Sequence, residues 1–348
     1  MNDTKKEMFL LQYFQRNKNL SSSEVLELTK SKVSQVTIKR YLSALTQQGY
    51  LNQLGAGRSI KYVITKKGLL LRSFNVSEYL ALNPDKRLGS ANYWFDIFKE
   101  PFVALFSDNE LQILNEATAE FRSKSKRSDD SSRNKELLRF IVEFSWKTSQ
   151  IEGNTYDLLS TERLLLYGQK SPTNSQHESQ MILNQKEALE FILNNINTWK
   201  KPNTKLLEAL HNRVGDKLGI TKGLRKTLVG ITGTSYKPLE NEYQIKEALK
   251  DLFDYLKTAT SVYEKALLAV LGVSYIQPFV DGNKRTSRLL ANAILMTENA
   301  APISYRSVDD TLYKEASLIF YEQNSIEPFK KLFIEQYVFS ASNYNISR

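Results

Sequence analysis

The chain lacks cysteine altogether and contains only two histidines, His177 and His211, among its 348 residues. The absence of cysteine excludes a disulfide scaffold, an iron–sulfur cluster, a thiol nucleophile and any zinc site built from thiolates. Two histidines are too few for a histidine-rich metal centre. These absences exclude the thiol and histidine-rich metal chemistries as functions of this protein.

Long apolar runs are also missing. No segment approaches the roughly 18 apolar residues of a membrane span. The N-terminus mixes apolar and polar residues and lacks the small-residue cleavage site of a signal peptide. The composition, 41% hydrophobic and 25% charged, is ordinary for a globular protein. We therefore expect a cytoplasmic protein of two or three domains that does not interact with membranes.

Acidic residues are scarce near the N-terminus. Residues 1–70 contain 12 Lys and Arg but only 4 Asp and Glu, a net charge of +8, whereas the whole chain carries +10. A compact basic segment is typical of a domain that binds nucleic acid. A lysine-rich domain without a nucleic-acid partner would carry the same charge, so the charge alone leaves both interpretations open.

The pattern of residues 1–70 predicts a winged helix-turn-helix domain. Apolar residues at helical spacing indicate a first helix near residues 8–14. Ser21 and Glu24 have the spacing of a capping box, which predicts the start of a second helix.

A third helix is predicted to begin after Ser34 and to end at Gly49, the residue type that most often follows a helix. The residues expected to face inward from it are Val36, Leu42 and Leu45. Two short strands joined by the glycine turn at residues 55–57 would then form the wing.

In this arrangement the third helix enters the major groove of DNA and the wing contacts phosphate. The residues predicted to face DNA are Gln35, Thr37, Lys39, Arg40 and Arg58. The same fold also serves as a dimerisation or protein-docking module, so DNA binding is one of three interpretations.

The rest of the chain is predicted to be mainly helical. Residues 71–100 have the character of a connector, and the polar run at residues 123–133 indicates an exposed loop. Between residues 225 and 238, β-branched residues around glycines predict a short β-hairpin.

The strongest candidate site is an Asp-Gly-Asn turn. One helix is predicted to end before Gln277, because the proline that follows disfavours helix at that position. Another helix is predicted to begin near Asn283. The turn therefore lies at a helix N-terminus, where free backbone N–H groups and the helix dipole attract anions.

The residues after the turn suit a polyphosphate. Arg285 and Arg288 are three positions apart and share one helix face. Gly282 lets the backbone approach a phosphate closely, and Asp281 supplies an oxygen ligand for Mg²⁺. The alternative is an ordinary loop followed by a basic helix with an Asn cap.

Residues 277–288 resemble the signature of Fic (filamentation induced by cAMP) proteins, H-P-F-x-[DE]-G-N-[GK]-R-x-x-R. Every defined position matches except the first, where Gln277 replaces histidine. Further matches in order extend the resemblance over roughly residues 100–335. They are the segment Thr148–Asn154, the helix Asn184–Ala188, Leu210-His211-Asn212, the turn Gly223-Leu224-Arg225 and the segment Ile231–Pro238.

The resemblance implies a mainly α fold class, a Fic-type helical core with a β-hairpin flap, preceded by the winged helix-turn-helix domain. It implies binding of ATP with Mg²⁺ and transfer of AMP to a hydroxyl of a target protein, which could be this chain itself. The expected domains are residues 1–70, the connector 71–100, the Fic domain 101–335 and a C-terminal tail 336–348.

The resemblance also implies residue roles. Asp281 would bind Mg²⁺, Phe279 would anchor the loop in the core, and Asn283 and Arg285 would act in catalysis with Gln277 at the general-base position. The phosphates of ATP would be bound by Gly282, Asn283, Lys284, Arg285 and Arg288. The flap that pairs with the target's backbone would be formed by Thr232, Gly233, Thr234, Ser235 and Tyr236.

An inhibitory helix is implied at about residues 135–152, with Thr148 and Glu152 in its motif. The carboxylate of Glu152 would pair with Arg288 and take the place of the γ-phosphate. ATP would then bind unproductively, so the resemblance implies an autoinhibited enzyme.

Gln277 stands where the family has its general base. A glutamine amide has no pKa near neutrality and cannot accept the proton of the target hydroxyl. His211 lies outside the motif, and we expect it to pack or bond on its own helix. The sequence therefore predicts intact nucleotide binding with weak or absent transfer.

Lys284 adds a further alternative, because lysine at this position also occurs in the Doc-like branch, which transfers phosphate instead of AMP. Three interpretations thus stay open: an autoinhibited adenylyltransferase, a DNA-binding regulator whose Fic core senses nucleotide, and a phosphotransferase. The oligomeric state, including a homodimer, is also open.

Overall fold

Helices make up most of the computed structural model, which describes residues 3–29 and 33–346; the side chains of residues 3–6 and of Arg58 lie outside the described part. The chain divides into two compact units. The first consists of the described residues up to Ala91 together with Ile231–Tyr236 and Tyr313–Lys331; the second consists of Asn92–Gly230, Lys237–Leu312 and the described residues from Leu332 onward.

The first unit begins with helices and a small sheet. Its elements up to residue 91 are Asp3–Leu10 (α1), Ser22–Thr29 (α2), Gln35–Gln47 (α3), Leu51–Leu54 (β1), Lys61–Ile64 (β2), Lys66–Leu71 (α4) and Val76–Leu80 (α5). The two strands pair antiparallel, with Leu51 opposite Ile64. Three helices followed by two paired strands is the order of elements that the sequence predicts.

Side-chain caps start α2 and α3 where the sequence predicts them. The backbone N–H of Ser21 donates to the Glu24 carboxylate (2.7 Å), and the N–H of Glu24 donates to Ser21 Oγ (3.3 Å). The Oγ of Ser34 accepts a hydrogen bond from the N–H of Thr37 (3.2 Å). Each cap satisfies donors that the first helical turn leaves without a partner.

The prediction that Val36 faces inward is wrong, since its side chain is 77% exposed. The residues that α3 buries are Ile38, Tyr41, Leu42 and Leu45. These positions repeat at helical spacing, and Val36 lies two residues before them, on the opposite side of a helix with 3.6 residues per turn. Of the residues predicted to face DNA, Gln35, Lys39 and Arg40 are exposed and Thr37 is half-buried; the side chain of Arg58 is outside the described part.

The second unit is built from long helices. Those wholly within it are Asp108–Lys126 (α6), Asp130–Ile151 (α7), Leu158–Tyr167 (α8), Gln176–Asn194 (α9), Thr204–Val214 (α10), Glu242–Thr258 (α11), Val262–Ile276 (α12) and Asn283–Thr297 (α13). Two further helices, Asp310–Gln323 (α14) and Glu327–Asn343 (α15), contribute residues to both units. No helix in residues 3–29 and 33–346 is both long and apolar enough to cross a membrane.

Two expected boundaries differ from those observed. The exposed loop expected at residues 123–133 is mostly helical, because Asp129 caps α7 by accepting a hydrogen bond from the N–H of Ser132 (2.8 Å). The C-terminal tail predicted at residues 336–348 is helical up to residue 343, because α15 continues through residue 335.

The β-hairpin expected between residues 225 and 238 is not formed. Within the described ranges, the only two-stranded ladder is β1–β2. Side chains hold the segment instead: Arg87 Nη1 donates to the carbonyl of Gly233 (2.9 Å), and the buried ring of Tyr236 stacks on Tyr321 at 5.8 Å. Residues 231–236 therefore form an anchored turn within the first unit.

The core of the second unit lies along α12 and α13. Every residue of α12 from Ala266 to Ile276 is buried, which requires neighbours on all sides of the helix. Because α12 is buried on all sides, the residue that follows it, Gln277, also lies in the interior of the unit.

Candidate active site

The loop between α12 and α13 is bounded by two residues in the left-handed region. Gln277 has φ of 51° and Gly282 has φ of 78°. A Cβ atom on Gly282 would lie 3.3 Å from Val214 Cγ1, closer than most side chains tolerate. Glycine is therefore required at 282 both by its backbone angle and by the space around it.

Asn283, the first residue of α13, holds this loop from inside. Its Nδ2 donates to Gln277 Oε1 (2.9 Å) and to the carbonyl of Phe279 (2.8 Å), and its Oδ1 accepts from the N–H of Phe279 (2.9 Å). The side chain is buried, so Asn283 shapes the loop, and a phosphate would meet its backbone N–H rather than its amide.

The Gln277 side chain is held at both ends of its amide. Its Nε2 donates to the carbonyl of Ser274 (2.6 Å), and its Oε1 accepts from Asn283. In this structure Gln277 therefore closes the end of α12 and does not present a group that could accept a proton.

Arg225 positions the loop after α12, a role that its place in a Gly-x-Arg turn does not by itself indicate. The side chain is buried and donates to three backbone carbonyls, those of Gln277 (2.6 Å), Thr227 (2.8 Å) and Leu239 (2.6 Å). Its own N–H donates to the carbonyl of Pro278 (2.9 Å). Arg225 thus fastens the beginning of the loop to a separate segment of the unit.

His211 contacts the loop, and the expectation that it bonds only on its own helix is wrong. Its ring stacks on Phe279 at 3.6 Å with the planes 5° apart, and its Nε2 donates to the carbonyl of Asp281 (2.9 Å). Burial lowers the pKa of His211 to about 4, opposed by the hydrogen bond to the Asp281 carbonyl. The imidazole is therefore neutral near pH 7 and supports the turn.

We expect His211 to make stability depend on pH. The folded pKa of about 4 is below the ordinary value of 6.5, so between these values the unfolded chain binds a proton that the folded chain does not. Stability should fall by about 3 kcal/mol as the pH drops from 6.5 to 4. Urea unfolding of His211→Gln should show a flatter pH dependence, whereas the same change at the exposed His177 should leave it as in the parent chain; equal slopes in all three proteins would contradict this role.

Arg285 is a buried cation beside the turn. Its side chain is 3% exposed, and its Nη2 lies 3.2 Å from Asp281 Oδ2. Its Nη1 is buried with no acceptor among the residues that the structure describes. Burial lowers the pKa of the guanidinium, which the Asp281 carboxylate opposes. A buried guanidinium with an unused donor favours the arrival of an anion.

Arg288 lies one turn further along α13 and is fully buried. It donates from Nε to Thr148 Oγ1 (2.6 Å) and from Nη2 to the Thr148 carbonyl (2.9 Å). Its Nη2 also donates to Glu152 Oε1 (2.8 Å), so the ion pair expected from the sequence is present. Thr148 and Glu152, at the end of α7, together occupy the guanidinium.

Lys284 is a second cation for the same carboxylate, with its Nζ 3.8 Å from Glu152 Oε2. Burial alone would raise the pKa of the Glu152 carboxyl, but Arg288 and Lys284 hold it below its ordinary value. Glu152 is therefore ionised at neutral pH and competes with other anions for these cations.

A magnesium ion would have one carboxylate at this turn. In the described part of the chain no three His, Cys, Asp or Glu side chains form a metal cluster. Asp281 is 68% exposed, and its Oδ1 accepts the N–H of Gly282 (2.6 Å). One exposed carboxylate fits Mg²⁺ only where phosphates and water supply the other ligands, which is how Mg²⁺ is usually held.

Residues 201–295 match the Fic/DOC family. The chain is 30% identical over 169 residues to protein adenylyltransferase fic-1 of Caenorhabditis elegans and 28% identical over 178 residues to protein adenylyltransferase Fic of Nematostella vectensis. These alignments cover 46% and 49% of this chain, and 32% and 41% of the relatives. The chain thus spans about a third of the length of the fic-1 relative.

Solved structures share the fold. Fic-1 of C. elegans aligns with a TM-score of 0.56 and 23% identity over 68% of this chain and 70% of that chain. A Fic-domain-containing signaling protein of Bacteroides thetaiotaomicron aligns with a TM-score of 0.56 and 20% identity over 66% of this chain and 94% of that chain. The chain therefore contains a segment, residues 201–295, that matches the Fic/DOC family, and it shares its fold with these Fic structures.

Proposed function

We propose that this protein transfers AMP from ATP to a hydroxyl of a target protein, and that Glu152 restrains this transfer while Gln277 weakens it. The observation that carries the proposal is the pair of buried guanidinium groups on α13. Arg285 retains an unused donor, and Arg288 is paired with the carboxylate of Glu152. Similarity to proteins named adenylyltransferases supports the reaction type.

ATP would bind at the N-terminus of α13. The backbone N–H groups of Gly282 to Lys284 would face the phosphates, and Arg285 and Arg288 would neutralise them. Asp281 would hold Mg²⁺, which neutralises phosphate charge when bound. The segment Thr232–Tyr236 would present a backbone edge to the target.

The chemistry requires one proton acceptor. The target hydroxyl oxygen forms a bond to the α-phosphorus, the bond from that phosphorus to the bridging oxygen breaks, and pyrophosphate leaves. The proton of the hydroxyl has to move to a base. Because the Gln277 amide cannot take it, water would do so slowly, and transfer by the parent chain should be weak.

ATP with Mg²⁺ should raise the melting temperature of the parent chain by a few degrees, because a ligand that binds only the folded state stabilises it. The shift should be lost in Arg285→Ala and reduced in Asp281→Ala, as measured by thermal unfolding with and without nucleotide. Arg163→Ala removes an exposed arginine of α8 and serves as the control. If Arg285→Ala shows the same rise in melting temperature with ATP as the parent, ATP does not bind at this site.

We also propose that the first unit binds duplex DNA. The capped helix α3 presents Lys39 and Arg40 to solvent, and an antiparallel strand pair follows it, as in winged-helix DNA readers. The basic charge of residues 1–70 supports the same partner.

Binding to labelled duplex should weaken steeply as salt rises, because phosphate neutralisation releases counterions. The combined change Lys39→Ala, Arg40→Ala and Arg58→Ala should weaken binding and lower the salt slope by roughly 2 to 3. Lys170→Ala, at an exposed lysine of the second unit, should have no effect. No binding at low salt, or binding that salt does not alter, would contradict the proposal.

A further inference from the structure

A cavity of about 370 Å³ opens in the second unit at the C-terminal end of α13. The ends of α11 and α13, the start of α12 and residues 199–202 surround it. The motif turn lies at the other end of α13, 11 to 15 residues away, which is roughly 16–22 Å along a helix. The volume falls within the roughly 300–1,000 Å³ typical of small-molecule sites. This cavity is therefore separate from the nucleotide site.

The floor of the cavity is apolar. Trp199, Phe253, Leu256 and Ile294 line it and are buried, and Val262 lines it from the start of α12. A surface of this kind favours contact with an aliphatic or aromatic body.

The rim of the cavity is basic. Its charged residues are Lys200, Lys201, Lys257 and Lys265 against a single carboxylate, Glu298. Lys257 pairs with Asp254 at 2.7 Å. The other three lysines have no carboxylate partner among the described residues, and the rim therefore carries a net positive charge that attracts an anion.

Trp199 is only 1% exposed, and its buried indole N–H has no acceptor in the described part of the chain. By contrast, Trp146 donates its indole N–H to the carbonyl of Tyr156 (3.0 Å). A buried donor without a partner is unfavourable, and a turn of the Trp199 ring toward an acceptor in the cavity would break no hydrogen bond of the indole.

We propose that this cavity binds a small amphipathic anion, whose apolar body lies on the Trp199 floor and whose carboxylate or other oxyanion is held by the indole N–H and the lysine rim. The three features are independent of each other and agree on one ligand chemistry. The proposal does not depend on AMP transfer, because none of the lining residues belongs to the motif turn.

Octanoate is a suitable probe, with octanol as the neutral analogue and acetate as the anion without an apolar body. The chain has three tryptophans, so the indole region of a ¹⁵N–¹H spectrum of the full chain contains few signals. The signal missing from Trp199→Phe identifies Trp199. Octanoate should shift this signal in a saturable manner and leave those of Trp94 and Trp146 in place. Octanol should bind more weakly, and acetate should not bind.

The combined change Lys200→Gln and Lys265→Gln should weaken octanoate binding by about threefold to tenfold, while Lys170→Gln should leave it unchanged. The proposal is overturned if octanoate leaves the Trp199 signal in place. It is also overturned if octanol binds as tightly as octanoate, or if the lysine double variant binds octanoate as the parent does. Trp199→Phe keeps an aromatic ring in the floor of the cavity, so we expect this variant to fold. If its other signals match those of the parent chain, the missing indole signal belongs to Trp199.

Discussion

Replacing Gln277 with histidine should raise AMP transfer by about 10²–10⁴-fold when proteins with the same residue at position 152 are compared. The reason is that the rest of the motif is in place and only a proton acceptor is missing. The backbone at 277 should accept the change, because histidine is among the residues enriched in the left-handed region. Incorporation of label from α-labelled ATP into the protein itself measures the effect.

Gln277→Asn is the matched control for this substitution. Asparagine also tolerates the left-handed backbone but offers no base, so it should not raise transfer. Adding Asn283→Ala to Gln277→His should abolish the gain, because Asn283 holds the loop through Phe279. If Gln277→His transfers no more AMP than Gln277→Asn, the α-phosphate is not aligned with this position.

Replacing Glu152 with glycine should increase both ATP affinity and AMP transfer, by about tenfold to a hundredfold. The carboxylate and the γ-phosphate compete for the same guanidinium, since Glu152 Oε1 lies 2.8 Å from Arg288 Nη2. Removing Glu152 also frees Lys284, whose Nζ is 3.8 Å from the carboxylate. Titration with ATP and the labelling assay report the two effects separately.

Two further variants separate charge from shape in this effect. Glu152→Gln keeps the side chain but removes its charge, so it should release much of the activity. Arg288→Ala should not release activity, because it removes the partner of the phosphate together with that of Glu152. If Glu152→Gly binds ATP and transfers AMP only as the parent does, residues 148–154 are a helix end without an inhibitory role.

The helix–turn–helix around the motif could be predicted because its signals are local. A proline after Gln277 ends one helix, and Asn283 begins the next with apolar residues at helical spacing. The caps at Ser21 and Ser34 are local in the same way. Glu152 and Arg288 are 136 residues apart in the sequence. Their ion pair could therefore be predicted only from the resemblance to a family.

The contacts that the sequence did not predict are long-range or depend on helix phase. The stacking of His211 on Phe279 joins α10 to the loop after α12, and no periodicity within α10 indicates it. Val36 is apolar but lies in the first turn of α3, on the side of the helix opposite the buried Ile38 and Leu45, so its apolar character alone does not indicate burial. At residues 225–238, β-branched residues favour strands, but the anchoring of Gly233 by Arg87 determines a turn.

The most direct test of autoinhibited AMP transfer is one labelling experiment on four proteins: the parent, Glu152→Gly, Gln277→His and the double variant, each with α-labelled and with γ-labelled ATP. We expect the strongest α-label in the double variant, less in each single variant and least in the parent, with no γ-label in any of them. Incorporation of γ-label would indicate phosphate transfer. If the double variant binds ATP yet incorporates neither label, the site senses nucleotide without transferring it, which contradicts autoinhibited AMP transfer.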